Sequence, residues 1–219
     1  PQIYELFNEG TKFFIIMEYL DGFITLLDWV NPYYSMIYNS KSNEKEFELL
    51  IKTREEEITF IFDQIISSIN YLYQKSVAHR DLKLENIMIH PRTKEIKIID
   101  FGFSIISQTM TWSTICGSFE YLSPEILQHV VKNINENSTE KTFHFTIQSE
   151  VWSLGIILYG MIYCKLPFTH ENKLGLINLV LNSDIQYEPQ NVISDPNLKS
   201  LLKSMLVKDP SQRPTCEEI

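Results

Sequence analysis

The sequence predicts an α+β fold, a largely helical body joined to short β-hairpins. Three observations carry that prediction. Apolar residues recur at helical spacing between Ile58 and Tyr73. Two pairs of short apolar runs flank turn-forming residues, 2–7 with 12–17 and 87–89 with 95–99. A long apolar run over 151–166 has a buried helix's composition. A period of 3.6 marks a helix face, whereas short runs bounded by turn residues mark strands. With 219 residues, 44% of them hydrophobic, the chain can bury a substantial core.

The first hairpin turns through Asn8-Glu9-Gly10-Thr11, residue types that accept a positive φ. Its second strand runs into Glu18-Tyr19-Leu20-Asp21-Gly22. Residues 41–57 are charged and polar and read as an exposed loop entering a helix. Thr53-Arg54-Glu55-Glu56 fits a capping box: Thr53 accepts from an orphan amide, and acidic side chains face the positive end of the helix dipole. From there Ile58, Ile61, Phe62, Ile65, Ile66, Ile69, Leu72 and Tyr73 form a core-facing stripe.

That helix delivers the chain to His79-Arg80-Asp81-Leu82-Lys83-Leu84-Glu85-Asn86, and Asp100-Phe101-Gly102 follows. The hairpin between them, 87–89 with 95–99, brings Asn86 and Asp100 to the same end. The residue types suit phosphoryl transfer, which demands positioning and charge neutralisation more than covalent chemistry. Asp81 can orient and deprotonate a hydroxyl, and Lys83 can sit near a transferred phosphate. Asn86 and Asp100 offer hard oxygens of the kind Mg2+ prefers.

Further along, the apolar run at 151–166 is interrupted by Ser153, Gly155, Gly160 and Lys165 and is short for a bilayer span, so it reads as a buried helix. Asp195-Pro196 opens another helix through Val207, with Asp195 as cap. Residues 131–145 are rich in Asn, Thr and Lys and read as a surface insertion. A net charge of -9 argues against a broad nucleic-acid-binding face. Cys116, Cys164 and Cys216 are too few and scattered for a disulfide framework or zinc site, which points to a reducing intracellular, cytoplasmic setting. No secretory segment opens the sequence and no membrane partner is expected.

Together, the His79–Asn86 run and Asp100-Phe101-Gly102 resemble the catalytic and metal-binding loops of eukaryotic protein kinases, and Lys83 resembles the serine/threonine branch. The resemblance implies a protein-kinase-like fold: 1–17 a remnant of the small lobe, 18–22 the hinge, and 23–219 a mostly helical large lobe. It implies ATP and Mg2+ as cofactors and protein or peptide as substrate. Met17 takes the gatekeeper position, the backbone of Glu18 and Leu20 bonds adenine, and Met88 packs beneath it. Residues 111–125 resemble the activation segment and substrate loop. Within it Ser118 is the hydroxyl that bonds the catalytic Asp and Lys, Thr114 is an activation-loop phosphorylation position, and Arg80 is the cation that would receive its phosphate. Ser123-Pro124-Glu125 stands where Ala-Pro-Glu is usual, and Glu125 should pair with Arg213. Glu85 matches a position that meets a basic substrate residue.

Two departures qualify the resemblance. Glu150 stands where an Asp usually ties down the catalytic-loop backbone. No Gly-x-Gly-x-x-Gly loop or Val-Ala-Ile-Lys strand precedes residue 2, so the expectation is a small lobe that is truncated and an isolated chain of weak or no activity. The segment style is closest to the calcium/calmodulin-dependent and cyclic-nucleotide-dependent groups. Two other readings stand beside an active serine/threonine kinase: a pseudokinase or interaction module, and a small-molecule phosphotransferase. The substrate and oligomeric state are not legible.

Overall fold

Two antiparallel strands, β1 (Ile3–Glu9) and β2 (Lys12–Met17), open the chain around a tight turn at Gly10-Thr11. The computed structural model describes residues 1–38, 44–106, 111–112, 116–136, 143–144 and 146–219, with backbone alone at 111–112, 134–136 and 143–144. Phe7 and Phe14 pair across the hairpin with ring centroids 4.9 Å apart. Every residue of both strands is exposed, so cross-strand pairing rather than a core holds the hairpin.

After the turn at 21–22 comes β3 (Ile24–Thr25), then α1 (Leu26–Tyr38). Thr25 begins α1 by accepting from Asp28 N at 3.0 Å while its hydroxyl donates to the Asp28 carboxylate at 2.7 Å, a reciprocal cap. The helix α2 (Glu44–Gln74) follows, then β4 (Val77–Ala78), β5 (Ile87–Ile89), β6 (Ile96–Ile98) and β7 (Ile105–Ile106). The expected hairpin of 87–89 with 95–99 is present, and β3 extends it to a three-stranded antiparallel sheet in the order β3-β5-β6. Strand β4 pairs with β7.

The rest of the chain adds β8 (Thr111–Trp112), α3 (Pro124–Glu136), β9 (Phe143–His144), α4 (Ile147–Tyr163), α5 (Lys173–Asn182) and α6 (Pro196–Met205). The core centres on α4, which is buried on nearly all sides and packs against α2 and α6. Gly155 permits the closest approach, since a Cβ there would lie 2.8 Å from the Leu206 side chain. Asp195 caps α6 as expected, accepting from Asn197 N at 2.8 Å, with Pro196 in the first turn. Among the described residues no helix is long and apolar enough to cross a membrane.

The beginning of α2 overturns one expectation. Helix starts at Glu44, so Thr53 lies inside it and its hydroxyl donates back to Leu49 O at 3.0 Å. Arg54 and Glu55, expected near an exposed helix start, are buried. Arg54 donates to Met161 O at 2.6 Å and Ile162 O at 3.4 Å, at the C-terminal end of α4, and lies 4.3 Å over the Tyr33 ring. Glu55 accepts from Ser194 N, the Ser194 hydroxyl and, at 3.0 Å, Asp195 N, where α6 begins. A cation at one helix's C-terminus and an anion at another's N-terminus both oppose the local dipole. Consecutive residues of α2 thus clip together α4 and α6, and those distant partners outweigh the local capping pattern.

The insertion also differs in part from a loop. Residues 131–136 continue α3, and β9 pairs with β8 through Thr111 opposite His144 and Trp112 opposite Phe143. Residues 137–142 and 145 of the expected insertion, and Thr114, the expected phosphorylation position, lie outside the described residues.

Candidate active site

The loop from His79 to Asn86 is bounded by β4 and β5. His79 is completely buried, with Nδ1 accepting from Asp81 N at 3.3 Å and Nε2 3.0 Å from Ile99 O. Because Nδ1 accepts, the proton sits on Nε2 and is donated to Ile99. Burial lowers the His79 pKa and outweighs the raising influence of Ile99 O and the nearby carboxylates, which favours this neutral form. The ring also meets Phe101 edge-on, so His79 braces the Asp81 loop against the Asp100 loop.

Asp81 is the centre of a closed network. Its Oδ2 lies 3.0 Å from Lys83 Nζ and accepts from Asn86 Nδ2 at 3.0 Å. Its Oδ1 accepts from Ser118 N at 3.0 Å and Ser118 Oγ at 3.2 Å, and Lys83 Nζ donates to Ser118 Oγ at 3.0 Å. Burial pushes the Asp81 pKa up, but Lys83 and the Ser118 hydrogen bonds outweigh it and hold the group below its ordinary value. Asp81, Lys83, Asn86 and Ser118 are therefore brought together in one network.

Asn86 donates through Nδ2 to Asp81 O at 2.8 Å as well, which leaves its Oδ1 as the oxygen available to a cation. Ile99 N donates to Asn86 O at 2.9 Å, so the β5–β6 hairpin carries Asp100 back beside Asn86. Asp100 is exposed, sits at φ 60°, and accepts from Gly102 N at 3.2 Å.

Gly117 is the residue that sequence reasoning passed over. Its φ is 95°, and a Cβ would lie 2.6 Å from Arg80 O, inside van der Waals contact. Only glycine lets the segment at 116–118 lie against the His79–Asn86 loop and place Ser118 on Asp81. Its place directly before Ser118 was the available signal.

Glu150, from the first turn of α4, accepts from Arg80 N at 2.7 Å, so the longer side chain still reaches the loop. Arg80 itself has φ 66°, and its Nε donates to Phe103 O at 2.7 Å. Glu125 and Arg213 meet with both carboxylate oxygens at 2.9 and 2.8 Å from the guanidinium nitrogens. Burial raises the Glu125 pKa, but Arg213 prevails and lowers it.

The remaining positions surround this network. Glu85 is exposed and accepts from the Tyr121 hydroxyl at 3.4 Å. Beside Ser118 a cleft of about 450 Å³ is lined by Phe119, Glu120, His170, Lys173 and Leu176, with Lys173 Nζ 4.7 Å over the Phe119 ring. Met17 ends β2, and Met88 lies in β5 opposite Thr25 and Lys97. Glu18 N donates to Gln2 O at 2.8 Å, and Leu20 O accepts from Phe23 N at 3.3 Å.

Comparison with known proteins agrees with this geometry. Residues 2–219 match the protein kinase domain family. The chain is 35% identical over 208 residues to protein kinase kin1 of Schizosaccharomyces pombe, covering 93% of this chain and 21% of that protein. It is 32% identical over 222 residues to a probable serine/threonine-protein kinase of Dictyostelium discoideum, covering 100% of this chain and 22% of that protein. It is 36% identical over 161 residues to human RAC-beta serine/threonine-protein kinase, covering 73% and 30% respectively. The chain thus spans less than a third of the length of each of these relatives, and through the match over residues 2–219 it belongs to the protein kinase domain family.

Proposed function

We propose that this domain transfers the γ-phosphoryl group of ATP to serine or threonine hydroxyls of protein substrates. The observation that carries the reading is the Asp81 carboxylate held between Lys83, Asn86 and Ser118. Asp81 orients the acceptor hydroxyl and takes its proton, and Lys83 lies where negative charge develops on the transferred group. Ser118 ties the substrate loop to both. Asn86 Oδ1 and the Asp100 carboxylate suit Mg2+, being hard oxygens on adjoining ends of one hairpin. Mg2+ bound there supplies charge neutralisation of the nucleotide phosphates.

Residues 1–17 are assigned to the small lobe, 18–22 to the hinge and 23–219 to the large lobe. In the hinge the Glu18 carbonyl and Leu20 N–H are the adenine-bonding groups, because Glu18 N and Leu20 O already have partners. Met17 and Met88 flank the base. Peptide substrate runs along Glu85 and the cleft beside Ser118, and Thr114 with Arg80 forms the regulatory pair. The Glu18–Gly22 and Ser118–Glu125 patterns favour the calcium/calmodulin-dependent or a related group. Three unpaired cysteines favour a reducing intracellular compartment.

The test uses the full-length protein with ATP, Mg2+ and a mixed serine/threonine peptide pool. Asp81→Asn should lower turnover by about 10²- to 10⁴-fold while nucleotide still binds. Undiminished turnover in that variant would overturn the assignment.

A further inference from the structure

Glu150 is the family's usual Asp with one methylene added, and its surroundings give that change a chemical meaning. Glu150 is 1% exposed, its carboxylate accepts from Arg80 N at 2.7 Å, and the His79 N–H lies close by. The backbone it grips is strained: Arg80 at φ 66° is in the left-handed region, which a non-glycine residue adopts only when its surroundings hold it there. Arg80 O also abuts Gly117, and Asp81 is the next residue, so this peptide joins the catalytic loop to the substrate loop.

We propose that Glu150 is a proton-operated latch: as a carboxylate it holds Arg80 in the conformation that aims Asp81, and on protonation its grip on the loop slackens. An ionised carboxylate accepts from the Arg80 N–H as a charge-assisted bond, whereas the neutral acid is the weaker acceptor. The groups facing it are the Tyr73 hydroxyl from α2, the His79 and Arg80 N–H groups and the Arg80 charge from the catalytic loop, and the Cys216 thiol from the C-terminal turn. Burial pushes the Glu150 pKa up to about 7, against the opposing hydrogen bonds, so the latch operates near neutral pH.

The test is hydrogen exchange at the Arg80 amide across pH 5 to 8, expressed as protection to remove the intrinsic pH dependence, in the full-length protein. Because loop opening strips the N–H donor from a Glu150 that stays buried, wild type should gain about fivefold protection through neutrality, the difference between a charged and a neutral hydrogen bond. Stability against global unfolding, which exposes Glu150, moves the other way. Glu150→Asp should move that step to lower pH, and Glu150→Gln should abolish it. A flat wild-type profile, or an unchanged step in Glu150→Gln, overturns the latch. If Glu150→Gln does not fold, an unshifted step in Glu150→Asp overturns it equally. The turnover arm rests on the proposed kinase activity: the acid limb of kcat should move with the exchange step. A protein without phosphotransfer that keeps the exchange step retains the latch and loses the activity assignment.

Discussion

Arg213 donates all five of its N–H groups, two of them to Glu125. The others go to Val207 O at 2.7 Å, Gln148 O at 2.7 Å and Lys208 O at 2.9 Å, and the guanidinium lies 5.2 Å over the Trp152 ring. One side chain therefore fastens the first turn of α3, the start of α4 and the segment after α6. Arg213→Ala should cost roughly 3 to 5 kcal/mol, because a half-buried carboxylate and three carbonyls lose their partner. The thermal midpoint should drop by roughly 10 °C in calorimetry. Arg213→Lys should recover little, since three donors on a point charge cannot reproduce a planar fork.

Gly117→Ala tests the close approach of the two loops. The new methyl group would have to displace Arg80 O, and φ 95° is itself unfavourable for alanine, so stability should fall by about 1 to 3 kcal/mol. Turnover should fall further than stability explains, because Ser118 leaves Asp81. Gly10→Ala is the control, with positive φ but no atom within 4 Å of the added carbon, and should leave the turnover of folded protein unchanged.

The two readings of residues 53–55 make opposite predictions. A capping Thr53 would cost about 1 kcal/mol on replacement by alanine. Inside the helix, bonded back to Leu49, Thr53→Ala should be neutral or slightly stabilising in chemical denaturation. Arg54→Met should instead destabilise by about 2 kcal/mol or more, since it strips two carbonyls at the end of α4 of a charged donor.

Acid titration should expose two buried groups working in opposite directions. His79 has its pKa lowered from 6.5, so its contribution is present above that value and is lost as pH falls. Glu150 has its pKa raised from 4.5 to about 7, so its contribution is present below 4.5 and is lost as pH rises toward 7. Between those limits the slopes oppose each other. Glu150→Gln leaves His79 unopposed, and urea midpoints at pH 5, 6 and 7 should fall more steeply on acidification than in wild type. Parallel slopes would show that Glu150 does not titrate there.

The residues to which the chemistry is assigned were legible because their spacing is local. Asp81, Lys83 and Asn86 occupy one loop, and a single short hairpin returns the chain to Asp100. Asp195 and its proline likewise announced α6 from adjacent positions. Arg54 and Glu55 were not legible, because their partners lie at Met161, Ile162, Ser194 and Asp195. From sequence they look like ordinary first-turn charges, and only folding decides that each closes the end of another helix. Gly117 was visible as a letter, but its necessity comes from Arg80, which the fold alone brings against it.

Within little more than one turn of α4, Ser149 bonds Glu125 at 2.9 Å, Glu150 bonds Arg80 N at 2.7 Å, and Ser153 bonds Tyr121 O at 2.7 Å. The catalytic loop and both ends of the substrate-loop turn thus share one mounting. When α4 shifts by thermal motion, the proposed base and the proposed substrate platform shift with it, and the displacement cancels in the distance between them. The alignment that the proposed in-line transfer needs is preserved as a difference of two positions that fluctuate together, so the site can stay accurate without the whole domain being still.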